Sequence, residues 1–304
     1  MDGQRVLITG GAGFIGSNLA NHLAESNEVI AIDDLYLGTP ENLDHSVEFH
    51  DTSVLADDIL VSDDIDVLFH LAALSSRNMH EEHPQQGVRV NVEGFVNTVE
   101  QVREQCDTVV YASTSSIYGS RTEPSPEDME ITARTGYEAS KLAREQYAEY
   151  YSNHYEMTIA GLRFFSVYQG YGGAEEHKGE YANTVAQFAD EIANGNSPEL
   201  FGDGSQTRDF THVDDIVRGI ELAADHRLDG VYNLGTGESY DFNTVVELLN
   251  QKLGTDVEPV YIETPFDDYV HDTLADNTKM TEATGWEPQI DFEDGVERVC
   301  APYK

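Results

Sequence analysis

The chain has 304 residues, of which 39% are hydrophobic, and carries 57 acidic against 17 basic side chains for a net charge of −40. That apolar share supports a substantial core, while no run approaches the roughly 20 apolar residues of a membrane span, and Lys and Arg are too sparse to neutralise nucleic-acid phosphates. The acids are spread along the chain instead of forming a tail, which reads as a solvated surface suited to a salt-rich cytoplasm, where the Debye length falls to about 3 Å at 1 M.

Arg5 to Thr9 (RVLIT) is a short β-branched run, followed by a glycine loop and an amphipathic stretch from Ile15 to Ala24, a strand-turn-helix pattern. Glu28 to Ile32 predicts a second strand ending at Asp33, and Asp66 to Leu71, Thr108 to Ala112 and Thr158 to Leu162 predict three more. Helical periodicity fills Gln86 to Gln105 and Gly136 to His154. Such alternation predicts an α/β fold, a Rossmann-like doubly wound parallel sheet. After about Phe165 the rhythm gives way to Gly-rich and acidic loops, a helix near Tyr181 to Ala193 and short strands. The expected division is therefore a dinucleotide-binding domain over 1–165 and a smaller, mainly substrate-binding α/β region over 166–304, with segments near 205–235 returning to the first. Cys106 and Cys300 belong to no paired motif, so no disulfide framework is expected. The N-terminus lacks a secretory pattern, and a cytoplasmic location is expected.

Gly10, Gly13 and Gly16 recur every third residue, and Gly11 to Gly16 also satisfies G-x-G-x-x-G. Glycine lets the backbone turn sharply and approach a pyrophosphate, whose charge meets the N–H groups at a helix N-terminus. The motif follows a predicted strand and opens a predicted helix, the context that separates it from an ordinary glycine turn. Asp33, ending the next strand, suits an adenosine ribose diol and repels a 2′-phosphate, favouring NAD over NADP. Tyr137 and Lys141, four apart on a predicted helix, share one face, and a nearby ammonium stabilises a phenolate, making Tyr137 a candidate general base. Read alone, they are equally an ordinary solvent-facing pair. Hydroxyls at Ser113, Thr114, Ser115 and Ser116 lie at a strand end, where doubly wound sheets meet ligands, although such a run also forms turns.

Taken together, TGGAGFIGSNL at Thr9 to Leu19, DDLYLG at Asp33 to Gly38, HLAA at His70 to Ala73, NVEG at Asn91 to Gly94, YEASK at Tyr137 to Lys141, GDGSQTRDFTHVDD at Gly202 to Asp215 and YNLGTG at Tyr232 to Gly237 resemble the extended short-chain dehydrogenase/reductases, specifically the nucleotide-sugar epimerases. The resemblance implies a catalytic set of Thr114, Tyr137 and Lys141, with Tyr137 taking the proton of a sugar 4-hydroxyl, Lys141 also holding the nicotinamide ribose and Thr114 steadying the sugar oxygen. It implies resident NAD, a 4-keto intermediate and a homodimer. Cofactor contacts would come from Gly10, Gly13, Phe14, Ile15, Gly16, Asp33, Asp51, Thr52, Leu71, Ala72, Ala73 and Asn91, with Asp51 at the adenine. Arg208, Arg77 and Ser166 would face the nucleotide-sugar substrate, with an ion pair to Asp209 or another of the many acids as the structural alternative for Arg208.

Dehydratases and decarboxylases of this kind show an acid two positions after the threonine, where this chain has Ser116, which favours epimerisation over a 4,6-dehydratase or 4-keto reductase. A non-catalytic NAD sensor would need the glycine loop but no poised phenol. Ser166 replaces an asparagine of the epimerase pattern, and an arginine expected near Phe266, Asp267 and Asp268 is missing. Thr273, in place of a bulky gate, suggests room for an N-acetyl group. Asn78, His177 and Lys178 are candidates for the missing polar contacts. His80 and His83 lack zinc-site spacing, so no metal is expected, and His212 reads as structural.

Overall fold

The computed structural model describes residues 1–59, 64–264 and 269–304; Phe266, Asp267 and Asp268 lie outside the described residues. In chain order, β1 (Arg5–Thr9), α1 (Phe14–Leu23), β2 (Glu28–Asp33), β3 (Glu48–Asp51) and β4 (Val67–His70) are followed by α2 (Arg77–Glu82), α3 (Pro84–Val88) and α4 (Gly94–Val102). Next come β5 (Thr108–Thr114), α5 (Gly136–Tyr155), β6 (Thr158–Phe164), α6 (Thr184–Ala193), α7 (Val213–Asp225), β7 (Gly230–Leu234), α8 (Phe242–Leu253), α9 (Thr278–Thr284) and α10 (Phe292–Cys300).

The seven strands form one parallel sheet in the order β7-β6-β5-β4-β1-β2-β3. Winding proceeds outward in both directions from β1 and β4, so a crevice opens at the carboxyl ends of these two strands, the switch point at which such sheets bind ligands. Both faces are covered, which is why β5 is buried over its whole length and the strands read as apolar runs. One face packs Val6, Ile8 and Phe69 against Leu19 and Leu23 of α1 and Ile216 and Ile220 of α7. The other packs Leu7, Leu68 and Val109 against Phe95 and Val99 of α4 and Ala148 and Tyr151 of α5. A third core gathers Val185 and Phe188 of α6, Val245 and Leu249 of α8, and Val296 and Val299 of α10.

One strand exceeds the sequence expectation. In β3 the segment EFHD has no fully buried residue, so it shows no apolar run, and its register is set by β2 through Ile30 opposite Glu48. β7 lies beyond the expected break, in the stretch near 205–235 expected to return to the first domain, and pairs Val231 with Gly161 of β6. The single helix expected over Gln86 to Gln105 is α3, a π-helical turn at Arg89–Glu93, and α4. Asn91 sits in that turn with its side chain bonded to both backbone groups of Leu74 and its carbonyl accepting from Arg144 Nε at 3.0 Å, partners that account for the widened turn. Helix α6 starts later than expected because Asn183 caps it, accepting from Val185 N at 3.0 Å.

Cys106 and Cys300 are buried, unpaired thiols, each pushed up to about 11 by burial. Among the described residues no helix is long and apolar enough to cross a membrane.

Candidate active site

A cavity of about 660 Å³ lies at the carboxyl edge of the sheet, lined by the glycine loop, by Thr114, Tyr137 and Lys141, and by Arg208, Tyr269 and Thr273. The loop is built for close approach. Gly10 has φ +68°, and a Cβ there would stand 2.7 Å from Ala72 N. The first helical bond of α1 runs from Ser17 N to Gly13 O at 2.9 Å, and no side chain caps the turn. The first-turn N–H groups of Phe14 and Ile15 are therefore available to an anion at the positive end of the helix. At the end of β2, the Asp33 carboxylate accepts from Leu35 N at 2.8 Å and Ala12 N at 3.2 Å. Burial raises its pKa, partly offset by these backbone bonds. A glycine cradle, an uncapped helix start and a neighbouring carboxylate fit a dinucleotide.

Gly10, Gly13, Phe14, Ile15, Gly16, Asp33, Thr52, Leu71, Ala72 and Ala73 all line the cavity. Asp51 and Asn91 are not among the lining residues. Asp51 is exposed at the end of β3. Asn91 is fully buried, donating to Leu74 O at 3.2 Å and Ser140 Oγ at 3.0 Å, so it shapes the cavity wall from behind.

Tyr137 enters from the first turn of α5. Thr135 caps that turn, accepting from Glu138 N at 3.2 Å, while the Glu138 carboxylate reaches back to Arg134 N at 2.7 Å, a variant of the capping box. Thr135→Ala is expected to destabilise the protein by about 1 kcal/mol, a fall of about 2 °C in melting temperature. An unchanged thermal transition would show the cap to be redundant.

Burial holds the Tyr137 phenol above its ordinary range; a hydrogen bond with Thr114 and the charge of Arg144 pull it back down, and Glu138 opposes them. Lys141 donates to Ala112 O at 3.2 Å, and its Nζ lies 5.8 Å from the centre of the Tyr137 ring. Its own pKa is driven well below the lysine range by burial and by Arg144. The cation that lowers the phenol pKa is thus Arg144, a residue the sequence reading did not single out. Its guanidinium is fully buried and donates to Asn91 O at 3.0 Å, Ala72 O at 3.1 Å and Ala112 O at 3.2 Å, tying three wall segments together. Spacing held the signal: Tyr137, Lys141 and Arg144 stand at i, i+4 and i+7 on one helix face.

Arg208, also on the cavity wall, does not pair with Asp209. It donates to Thr207 O and His271 O, each at 2.8 Å, and to Val270 O at 2.6 Å, and lies over the rings of Tyr269 and Phe242 at 5.2 and 5.6 Å. Asp209 is buried beneath, accepting from Thr236 N, Gly237 N and Ala275 N at 2.8–3.0 Å. Arg77, Asn78, Ser166, His177, Lys178 and Thr273 also line the cavity. Arg77 is bonded to Glu81 at 2.6 Å, and Ser166 is held at φ +25°. His80 is buried with Nε2 unpartnered, and His212 caps α7, accepting from Asp214 N at 3.2 Å. No cluster of three or more metal-ligating side chains occurs among the described residues.

Residues 6–235 match the NAD dependent epimerase/dehydratase family. The chain belongs to that family. This epimerase/dehydratase is 34% identical to the UDP-glucose 4-epimerase of Mycolicibacterium smegmatis over 96% of each chain. Its fold is similar to that of UDP-N-acetylglucosamine 4-epimerase from Methanobrevibacter ruminantium, with a TM-score of 0.92 at 27% identity, covering 99% and 98% of the two chains. It is equally close to the UDP-glucose 4-epimerase of Thermotoga maritima, solved with UDP-glucose, with a TM-score of 0.91 at 30% identity over 98% of each chain. Similarity extends through the C-terminal region, so the whole epimerase/dehydratase architecture is shared and not only its sheet.

Proposed function

We propose that this family member interconverts the C4 epimers of a UDP-linked sugar, using NAD that stays bound through the cycle. The observation that carries the reading is the convergence of Thr114, Tyr137 and Lys141 on the cavity that also holds the glycine loop and Asp33. Bound there, NAD supplies a hydride acceptor that is regenerated when the hydride returns. Tyr137 is the group that takes the proton of the sugar 4-hydroxyl, Thr114 holds that oxygen, and Lys141 orients the ribose beside them. Ser116 lies 2.9 Å from Thr114 Oγ1, where elimination of water would call for an acid or base, and its hydroxyl favours epimerisation over dehydration.

The aromatic and cationic end formed by Tyr269, Phe242 and Arg208 supports a nucleotide there, since a guanidinium pairs with phosphate and base faces stack on rings. Thr273, small and facing the cavity, is compatible with an N-acetylated hexosamine as well as glucose or galactose. Three exposed tyrosines on α5, Tyr147, Tyr150 and Tyr155, support the homodimer that goes with this reading, because aromatic side chains are enriched at such contacts.

The test incubates the protein at high KCl with UDP-glucose, UDP-N-acetylglucosamine, dTDP-glucose and GDP-mannose, with products identified by NMR. The expected result is interconversion of 4-epimers without added NAD(H), with activity declining in dilute buffer as the acidic surface repels itself. Accumulation of a 4-keto product or a requirement for NADPH would replace epimerisation by dehydration or reduction. Undiminished activity in dilute buffer would remove the salt-adapted part of the reading.

A further inference from the structure

Five lysines occur in the chain, at 141, 178, 252, 279 and 304. Four of them donate side-chain hydrogen bonds: Lys141 to Ala112 O, Lys252 to Glu293 and Glu297, Lys279 to Val231 O and Lys304 to Glu297. Among the described residues Lys178 is the one lysine whose ammonium makes neither a hydrogen bond nor an ion pair; its backbone N–H donates to Glu175 O at 3.0 Å. In a chain of net charge −40, an ammonium that feels the charge of Glu175 yet bonds to no carboxylate calls for an explanation. Its ammonium lies 5.6 Å from the centre of the Phe14 ring, over the first residue of α1, and its side chain lines the same cavity as Gly10, Gly13 and Ile15.

The segment that carries Lys178 is pre-organised. Glu175, fully buried, accepts from Gln169 N at 2.7 Å, Gly170 N at 2.8 Å and Asn183 N at 2.6 Å, which closes residues 169–183 on themselves and occupies both oxygens of that carboxylate. The same segment is tied across the cavity. The amides of Gln169 and Asn18 exchange bonds of 2.9 and 3.2 Å, Asn42 Nδ2 donates to His177 Nδ1 at 3.0 Å, and Tyr181 Oη donates to Glu82 at 3.0 Å. Asn18 belongs to α1 and Asn42 follows β2, so two of the three anchors grip the elements that form the dinucleotide cradle.

We propose that Lys178 is a binding residue for the pyrophosphate of the dinucleotide, presented to it by a clasp formed by residues 169–181. This rests on the dinucleotide reading of the cavity and adds to it a charge that the glycine loop lacks. The loop offers only N–H groups and a helix terminus, while the field of a strongly acidic protein repels an anionic cofactor. A contact ammonium supplies charge-assisted bonds at short range, which salt screens less than it screens the surrounding field. Burial lowers the pKa of Lys178, and a phosphate partner restores the charged form. The anchors on α1 and the β2 loop favour the cofactor over the sugar nucleotide as the anion it meets.

The experiment follows the release of NAD from the loaded protein after gel filtration, for the parent and for Lys178→Met and Lys178→Arg, alongside the KM for the UDP-sugar. The methionine keeps the aliphatic stem and removes the charge. Its release of NAD is expected to be at least about tenfold faster, the scale of one charge-assisted bond, with the arginine variant close to the parent and the sugar KM little changed. Release at the parent rate in Lys178→Met overturns the inference, and if the sugar KM rises instead, the ammonium serves the substrate. Equal acceleration in both variants shows that shape and not charge matters, which also overturns it. Failure of the parent itself to retain NAD is the separate result that sinks the dinucleotide reading.

Discussion

Tyr137→Phe is expected to lower kcat about 10³-fold while the purified protein keeps its NAD. The substitution removes one oxygen and leaves the ring buried at the start of α5, so cavity shape and the wall clamp of Arg144 persist. What disappears is the acceptor for the 4-hydroxyl proton and the partner of Thr114. NAD content read by absorbance after denaturation, together with single-turnover kinetics, separates lost chemistry from lost cofactor. Retained turnover would refute the assigned role. The pH dependence carries a sign. Burial places the phenol above its ordinary range, so the phenolate is the minority form at neutral pH. Activity that needs the phenolate rises with pH, about tenfold per unit, and levels off at the pKa of Tyr137 in the loaded protein. A profile flat between pH 6 and 9 would show that the base is already ionised or that another step limits the rate.

Gly16→Ala is the second large effect, and it acts on the cradle instead of the chemistry. A Cβ at Gly16 overlaps the carbonyl oxygen of Gly10 and stands 2.9 Å from Gly11 Cα, both backbone atoms that no rotamer change can move aside. The loop must open, which costs about 1–3 kcal/mol or more of stability and misaligns the N–H groups at the start of α1. The melting temperature should fall by several degrees, and the rise produced by added NAD should shrink sharply. Gly13→Ala is the control. Its Cβ would meet the same carbonyl oxygen at 3.2 Å, a tight contact that a small shift relieves. Equal loss in the two variants would show that the loop fails as a whole and not at the one crossing.

The parts of the molecule legible in the sequence are those whose signal is local. β1, β2, β4, β5 and β6 are apolar because both their faces are covered, and the glycine loop announces itself by spacing and by the strand before it. β3 escapes because a sheet-edge segment such as Glu48–Asp51 is half solvated, and β7 is legible only as part of a stretch near 205–235 returning to the first domain, because Gly230–Leu234 owes its place to pairing with β6, some 70 residues earlier. The π-helical turn at Arg89–Glu93 looks like plain helix in sequence, since its cause lies in Leu74 and Arg144, which reach it only in the fold. Thr114, Tyr137 and Lys141 were visible as residue types at a strand end and on one helix face. The charge on Arg144 and the isolation of Lys178 depend on what surrounds them in space, and no spacing rule reports that.

The origin of β7 ties the two halves of the chain together in time as well as in space. β6 ends at Phe164 and β7 begins at Gly230. The intervening stretch holds α6 and the Arg208 segment, so most of one cavity wall leaves the ribosome before the sheet has its last strand. α7, which immediately precedes β7, carries Ile216 and Ile220 into the core beneath β1. A nascent chain halted near residue 165 would have an unpaired β6 edge and an uncovered sheet face, a template for pairing with other chains. Closure of the sheet is therefore a high-contact-order, late event, and the half that carries the glycine loop cannot mature until much of the C-terminal half has been made.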